Sequence, residues 1–169
     1  METELFADMY SPSFPDYVVI DKKGVCRPPR YAFYTSKNRN YIILTGDAQV
    51  PIENIPAHHQ ICSEVLDFIR QIGCRLIVTI DGVPTPQPTK EIYVAATSKS
   101  LAAKYAEKNA AVFKGGRIIG SAGLLIGLAK TSKLDGVCLL VQTSGLTADE
   151  EAALNLYKFL KKSFIDTKN

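Results

Sequence analysis

Carboxylates and one serine are the side chains of this sequence whose positions suggest chemistry. Asp47 and Asp81 each follow an apolar run, in Gly46-Asp47 and Asp81-Gly82. Two such carboxylates can serve as an acid and a base or bind magnesium. An aspartate after a strand more often orders a turn or caps a helix, and we favour that interpretation. Ser121 lies in Gly-Ser-Ala-Gly, which is too short for the motif of an activated serine nucleophile. We therefore assign no catalytic residue.

Histidine and cysteine, the common metal ligands, form no ligand set in the sequence. His58 and His59 are neighbours at a predicted helix start and point about 100° apart, so they cannot both face one metal. His58 and Cys62 share a helix face, but two ligands do not define a site. The four cysteines form no C-x-x-C pair, and we interpret them as reduced core residues. We expect no metal and no cofactor.

A glycine-rich stretch at residues 114–130 is the centre of the predicted architecture. Ile118-Ile119 predicts a short strand, which a tight turn joins to a helix with glycines at 120, 123 and 127. These glycines either allow close packing of the helix or leave its first N–H groups free to bind phosphate or carboxylate. We favour close packing, because the stretch matches neither the P-loop nor the dinucleotide-binding pattern.

Composition limits the class of protein. With 169 residues and 18.5 kDa, the chain predicts a single domain, residues 1–169. A net charge of +3 requires no acidic partner. Most of the six basic residues between 22 and 39 fall in predicted turns, so we expect no nucleic-acid binding. No apolar stretch is long enough to cross a membrane, and the N-terminus does not read as a secretory signal. We expect a cytoplasmic protein without membrane contact.

The predicted elements alternate between strands and helices. Residues 1–16 suggest the end of a helix followed by an extended lead-in. Within residues 17–45, the strands at 17–20 and 31–34 are expected to pair with each other as a small antiparallel excursion. The run at 76–80 is nearly all apolar and predicts the central strand, covered on both faces. Further strands are predicted at 17–20, 31–34, 41–44, 92–96 and 137–141. Helices are predicted at 57–72 and 98–109. The helix of the glycine-rich stretch should end near Ser132, and a last helix should follow a capping box of Thr147 and Glu150.

This alternation predicts an α/β sandwich with a mostly parallel mixed sheet. Ligands of such folds bind in the crevice beyond the carboxyl ends of the strands. The candidate ligand crevice therefore consists of Gly46, Asp47, Asp81, Gly82, Gly120, Ser121, Gln142 and Thr143.

Two apolar segments suggest contact with other proteins. Three alternating prolines stiffen the loop at residues 83–89, and a stiff loop favours presentation of a surface. The N-terminal aromatic residues, with the tyrosine-rich segment around Tyr31, Phe33 and Tyr34, suggest an apolar face that self-association would cover. The candidate interaction surface consists of Phe6, Tyr10, Phe14, Pro84, Pro86 and Pro88.

Four segments of the sequence resemble the proteasome assembly chaperone family, particularly its archaeal branch. They are Tyr-Ser-Pro-Ser-Phe-Pro at 10–15, Leu-Thr-Gly-Asp-Ala-Gln at 44–49, the glycine-rich helix at 118–129 and Gly-Val-Cys-Leu-Leu-Val-Gln-Thr at 136–143. The resemblance implies a three-layer α/β/α fold similar to nucleoside phosphorylases and peptidyl hydrolases. It also implies a homo-oligomer that binds proteasome subunits without catalysis, although some relatives carry an ATP-grasp label.

The sequence departs from this family at both ends. Relatives begin with an apolar strand, a glycine-rich turn and a helix, and this chain starts where that helix would end. Either the first β-α unit is absent or the sequence is a shortened form. Residues 165–169 do not match the hydrophobic-tyrosine-any tail that docks some archaeal members. We predict a non-enzymatic, homo-oligomeric assembly factor or scaffold. The alternative is a nucleotide- or phosphate-binding protein, or a hydrolase-like enzyme, that uses the crevice.

Overall fold

The computed structural model describes residues 2–37 and 40–166, and the chain divides into two compact units, residues 1–61 and 62–169. Residue 1, the two residues 38 and 39 of a predicted turn, and the terminal residues 167–169 lie outside the described part. Over the described residues, no helix combines the length and the apolar character that crossing a membrane requires.

The first unit is built mainly from antiparallel strands. A three-stranded sheet has the order β1-β4-β5, with β4 paired on both sides. The separate ribbon of β2 and β3 closes on a turn in which the Asp21 carboxylate accepts hydrogen bonds from the N–H groups of Lys23 and Val25. The elements are β1 (Thr3–Met9), β2 (Val19–Ile20), β3 (Cys26–Arg27), β4 (Tyr31–Ser36), β5 (Ile42–Gly46) and the start of α1 (Ile55–Gln71).

Two predictions for this unit are wrong. Residues 3–9 form strand β1 and not the end of a helix, and the strand pairs along β4 from Thr3 opposite Ser36 to Met9 opposite Tyr31. Ala7 and Met9 are half-buried whereas Asp8 between them is exposed, which is the period of two that a strand requires. The strands at 17–20 and 31–34 do not pair with each other. The segment at 17–20 pairs with β3, and the strand at 31–34 pairs with β1 and β5.

The second unit contains a four-stranded mixed sheet with helices on both faces. The strand order is β6-β9-β7-β8, in which β6 and β9 are parallel, β7 and β9 are antiparallel, and β7 and β8 are parallel. The elements are β6 (Leu76–Pro84), β7 (Ile92–Ala96), α2 (Lys99–Ala106), β8 (Ala111–Val112), α3 (Ser121–Thr131), β9 (Asp135–Thr143), α4 (Glu150–Leu160) and a π-helical turn (Lys161–Ile165).

The central strand of this sheet is β9, not β6 as the sequence suggested. β9 pairs with β6 on one side and β7 on the other, and its residues from Gly136 to Val141 are all buried. β6 stands at the end of the described strand order, and Ile80 within it is 54% exposed. An apolar run therefore identified a strand at 76–80, but it did not locate that strand within the sheet.

The core of the second unit lies on the two faces of β9. Val137, Leu139 and Val141 face α2 and α4, where they pack with Leu156 and Phe159. Their neighbours in sequence, Cys138 and Leu140, pack on the opposite face with Ile126 of α3. Burial on both faces explains why the β9 sequence shows no apolar-polar alternation.

Side-chain hydrogen bonds cap the first turns of helices α2 and α4, and one of the two capping residues differs from the prediction. Ser98 accepts a hydrogen bond from the N–H of Leu101 and caps α2. The predicted cap Thr147 is wrong for α4, since Asp149 accepts the N–H of Ala152 at 3.0 Å. Asp149 takes this role because it directly precedes the first helical residue.

Candidate functional site

Asp47 is held in a fixed ion pair within the first unit. The Arg27 guanidinium donates two hydrogen bonds to its carboxylate, at 2.5 and 2.9 Å, and the N–H of Arg30 donates a third at 3.0 Å. The hydrogen bonds from Arg27 lower the pKa of the Asp47 carboxyl to about 2. Tyr17 Oη donates to the Asp47 carbonyl oxygen at 2.8 Å. Through these hydrogen bonds Asp47 holds the chain around residues 27–30.

Gly46, the residue before Asp47, is a packing site. A Cβ on Gly46 would lie 2.6 Å from Cδ1 of the Tyr31 ring, on the neighbouring strand β4. No larger residue fits there without displacement of that ring.

Asp81 and Gly82 lie inside β6, where the sequence analysis had ended the strand. The Asp81 carboxylate accepts only the N–H of its neighbour Gly82, at 2.7 Å, among the hydrogen bonds recorded for the described residues. Gly82 lies against β9, since an added Cβ would be 2.8 Å from Cγ2 of Thr143. The parallel register places Gly82, Val83 and Pro84 opposite Val141, Gln142 and Thr143. Gly82, Gln142 and Thr143 of the predicted crevice therefore do lie together.

Gly120 and Ser121 start helix α3. Gly120 has φ of 97°, a left-handed conformation that favours glycine, and Ser121 is hydrogen-bonded to the Cys62 thiol. Close packing is confirmed at Gly123, where an added Cβ would lie 2.6 Å from the carbonyl oxygen of Ile118. Close packing is wrong at Gly127, because a Cβ added to Gly127 would have no other atom within 4 Å. Ile118 and Ile119 are not a strand, and Ile119 is 75% exposed.

Gln142 supports the proline loop, residues 83–89, and holds its end against the sheet. Gln142 Oε1 accepts hydrogen bonds from both N and Oγ1 of Thr89, each at 2.8 Å. Gln142 Nε2 donates to Tyr93 Oη at 2.8 Å, and Tyr93 Oη donates to Glu91 at 2.8 Å. The Gln142 amide is thus engaged on both its oxygen and its nitrogen.

Three further contacts hold the proline loop. Thr85 N donates to the Thr143 carbonyl oxygen at 2.9 Å, which extends the β6 pairing by one residue. Lys90 forms an ion pair with Asp149, the cap of α4, and both side chains are largely buried. Gly145 lies beneath Pro84, because an added Cβ would be 3.1 Å from Pro84 Cβ. The loop is therefore fastened on both sides of its prolines.

The prolines of this loop alternate in exposure. Pro84 and Pro86 are exposed, whereas Val83 and Thr85 are half-buried; strand β6 ends at Pro84, and the chain bends at Pro86 and Gln87. Pro88 is half-buried. The proline loop presents two rigid, ring-shaped apolar side chains to solvent.

An aromatic groove lies on the first unit. Its volume is about 480 Å³, and Phe14 packs on Tyr31 with ring centroids 4.9 Å apart. Tyr10 is 51% exposed and Phe14 only 9%. Phe6 lies outside the groove, 42% exposed, with its ring edge against Phe33, which is buried. The groove is lined by Tyr10, Ser11, Pro12, Phe14, Pro15, Asp16, Tyr17, Pro28 and Pro29.

Sequence reasoning missed the basic side chains that order these surfaces. Arg27 and Lys90 pair with aspartates 20 and 59 residues away, distances at which spacing carries no signal. Arg30 pairs with Asp8 at 2.6 Å in the same way. The described residues hold no cluster of three or more His, Cys, Asp or Glu side chains with metal-binding geometry.

Fold and surface together define a mixed α/β protein that carries an aromatic groove and a proline loop held by hydrogen bonds. The chain belongs to the PAC2 family, whose family model matches residues 1–168.

Proteins similar to this chain support its assignment to the PAC2 family. PbaB of Pyrococcus furiosus, described as an archaeal proteasome activator, is 32% identical, with a TM-score of 0.83 over 95% of this chain and 72% of PbaB. PbaA of the same organism, described as an archaeal homologue of proteasome-assembly chaperone, shares the fold, with a TM-score of 0.83, 22% identity and coverage of 99% of this chain and 68% of PbaA. An uncharacterised protein of Methanocaldococcus jannaschii is 29% identical over 96% of this chain, which spans 64% of that protein's length.

Proposed function

We propose that this protein is a non-enzymatic assembly factor that forms homo-oligomers and binds proteasome subunits in the cytoplasm. The observation that carries the proposal is the 32% identity to PbaB over 95% of this chain. The proteasome is the partner named for PbaB, and the family resemblance of the sequence points to the same partner.

Asp47 and Gln142 of the predicted crevice support a binding role over catalysis, whereas the Asp81 carboxylate accepts only the N–H of Gly82. Asp47 is occupied by Arg27 and Arg30, and Gln142 is occupied by Thr89 and Tyr93. A general base needs a free lone pair near the proton that it removes. These residues instead stabilise the two apolar surfaces, which suit contact with another protein.

The proposal extends to the architecture of the whole chain. Helices cover both faces of the four-stranded sheet, with α2 and α4 on one face and α3 on the other. This arrangement supports a three-layer α/β/α sandwich of the phosphorylase and peptidyl hydrolase type. We propose that residues 1–169 form one functional domain around it.

Binding to purified proteasome α subunits tests the proposal. The chain and the subunits are mixed at micromolar concentration and separated by size exclusion with light scattering. The proposal predicts a complex whose mass exceeds that of either component. Elution of the two proteins at their separate masses would contradict it. A thermal-shift screen with nucleotides, phosphate and divalent ions is the companion control, and it should give no shift.

A further inference from the structure

Strand β6 has an open edge among the described residues. It stands at the end of the strand order of its sheet, where β9 pairs with one of its two sides. The N–H of Thr85, just beyond the strand, donates to the Thr143 carbonyl oxygen of β9. In a parallel ladder alternate residues bond to the same neighbour, so the odd-numbered residues of β6 turn their backbone groups towards β9. The backbone groups of the even-numbered residues therefore point away from the sheet.

This outward edge is closed at one end and open at the other. The Asp81 carboxylate accepts the outward N–H of Gly82 at 2.7 Å, and Pro84 has no N–H to donate. Both features keep a further strand from pairing there. Three outward N–H groups have no recorded partner in the part of the chain that the structure describes, those of Leu76, Val78 and Ile80.

The side chains along the open stretch are incompletely covered. Ile80 is 54% exposed, although Leu76 and Val78, on the same face of the strand, pack against the core beside β9. A large apolar side chain exposed within an edge strand is typical of a surface that pairs with another strand. The open stretch thus offers both backbone groups and an apolar side chain to a partner.

Opposite charges flank the open stretch. Arg75 directly precedes β6, is exposed, and has no recorded ion pair among the described residues. Asp81 follows the open stretch, and its recorded hydrogen bond is the one to Gly82. Both charged residues are odd-numbered, so their side chains share one face of the strand. A positive charge at one end and a negative charge at the other make this edge complementary to a second copy of itself, turned end for end.

We propose that β6 of one copy pairs antiparallel with β6 of a second copy of this chain, about a two-fold axis at Val78. The inference rests on the homo-oligomer in the proposed function and names a surface that forms it. In this register Val78 lies opposite the partner's Val78, and Leu76 lies opposite the partner's Ile80. The open N–H and C=O groups of the two copies then bond to one another, and the Ile80 side chain packs against the partner's Leu76.

The same register pairs the charges at both ends of the contact. Arg75 lies opposite the partner's Asp81, in a non-hydrogen-bonded pair whose Cα atoms are about 4.5 Å apart. A shift of the register by two residues in either direction separates these charges. One such shift also places Leu76 opposite Gly82, whose N–H is already bonded. Charge and hydrogen bonding therefore select one register.

The proposed contact is small and isologous. It runs along one strand edge, so it belongs with the interfaces that bury less than about 1,200 Å² and dissociate readily. We therefore expect a dimer that forms at high micromolar concentration and separates on dilution. Because each copy uses the same edge, the pairing closes at two copies.

Charge reversal tests the register by light scattering at high micromolar concentration. The wild-type chain is expected to approach twice the monomer mass of 18.5 kDa. Arg75→Asp and Asp81→Arg each place like charges opposite one another, so each variant alone is expected to have the monomer mass. An equimolar mixture of the two variants is expected to regain the wild-type mass, because every facing pair is then opposite in charge.

A third variant and two controls accompany this test. Ile80→Lys puts a charge on the exposed apolar side chain of the edge and should also give the monomer mass. Val112→Lys changes an exposed residue of β8, at the other end of the strand order, and Arg70→Asp reverses an exposed charge on α1. Both controls should keep the wild-type mass, and circular dichroism checks that each variant is folded. The inference is overturned if Arg75→Asp or Ile80→Lys keeps the wild-type mass, if the mixture stays monomeric, or if a control dissociates.

Hydrogen exchange of the wild-type chain tests the same contact without a substitution. The N–H of Val78 is expected to exchange slowly in concentrated solution and rapidly after dilution, since only a partner can bond to it. The N–H of Thr79, which points towards β9, is expected to exchange slowly at both concentrations. Exchange at Val78 that does not depend on concentration would overturn the inference.

The mass of the wild-type chain separates this inference from the proposed function. A wild-type oligomer that the β6 variants leave unchanged overturns only the β6 contact. A wild-type chain of monomer mass at high micromolar concentration overturns both this contact and the homo-oligomer. Binding of proteasome subunits is read in its own experiment and does not enter this result.

Discussion

The two units of the chain bury their apolar side chains to different degrees. The first unit, with 61 residues, contains eleven of the nineteen exposed large apolar side chains found among the described residues. In the second unit, β9 is covered on both faces, and Val137, Cys138 and Leu139 are 0% exposed. A protein that acts through binding needs both a rigid core and an apolar surface that remains accessible. In our account the second unit supplies the core and the first supplies much of the binding surface.

The largest contrast is expected between two leucines, one from each unit. Leu139 is fully buried in β9, so Leu139→Ala should lower the free energy of unfolding by about 2–5 kcal/mol. Leu44 in β5 is 36% exposed, and Leu44→Ala should lower it by about 1 kcal/mol or less. Urea denaturation of both variants measures the difference. Equal losses would show that the two units are packed alike.

A second contrast lies within helix α3. Gly123→Ala places a methyl group 2.6 Å from the Ile118 carbonyl oxygen, and the forced displacement should destabilise the protein by about 1–3 kcal/mol. Gly127→Ala meets no atom within 4 Å and should stabilise by about 0.5–1 kcal/mol, since alanine favours the helix. Melting temperatures that move in the same direction for both variants would contradict this packing.

Some features of the fold could be predicted from the sequence and others could not, for physical reasons. Helix α1 was predicted at 57–72 and lies at Ile55–Gln71, because a helix buries one face and its apolar residues recur accordingly. β1 was missed because Leu5 and Phe6 are both exposed, which obscures its alternation. Gln142 was selected from its place at a strand end, but its partner Thr89 lies 53 residues away. Pairings over such distances depend on the folded chain and leave no local pattern.

Acid should weaken the first unit through Asp47. Its pKa of about 2 lies below the usual value of about 3.9, so the ionised carboxylate stabilises the fold above pH 4, and this contribution is lost as the pH falls towards 2. Asp47→Asn should lower the free energy of unfolding at neutral pH by about 1–2 kcal/mol, and the difference from wild type should shrink at low pH. The control Asp67→Asn alters an exposed pair at 3.9 Å and should change little. A difference that is constant with pH would contradict the assignment.

The last contrast between the two units concerns the reactivity of their thiols. It is read from labelling rates and is expected to leave the free energy of unfolding unchanged. Cys26 of the first unit is exposed, whereas Cys62 and Cys138 of the second unit are buried, and burial raises the pKa of both buried thiols. Cys74 is half-buried, and its thiol pKa is also raised by burial. An aromatic disulfide reagent at neutral pH should label Cys26 first, and Cys26→Ser should remove the fast phase. Fast labelling of Cys138 would show that the β9 core opens readily.

Binding of proteasome α subunits by two exposed-leucine variants tests most directly whether the first unit is the binding surface. Leu5 on β1 is 43% exposed and Leu154 on α4 is 50% exposed, so two similarly exposed leucines from different units are compared. The account predicts that Leu5→Ser weakens binding by about tenfold or more, whereas Leu154→Ser leaves it unchanged. Unchanged binding by Leu5→Ser, or an equal loss from Leu154→Ser, would contradict it.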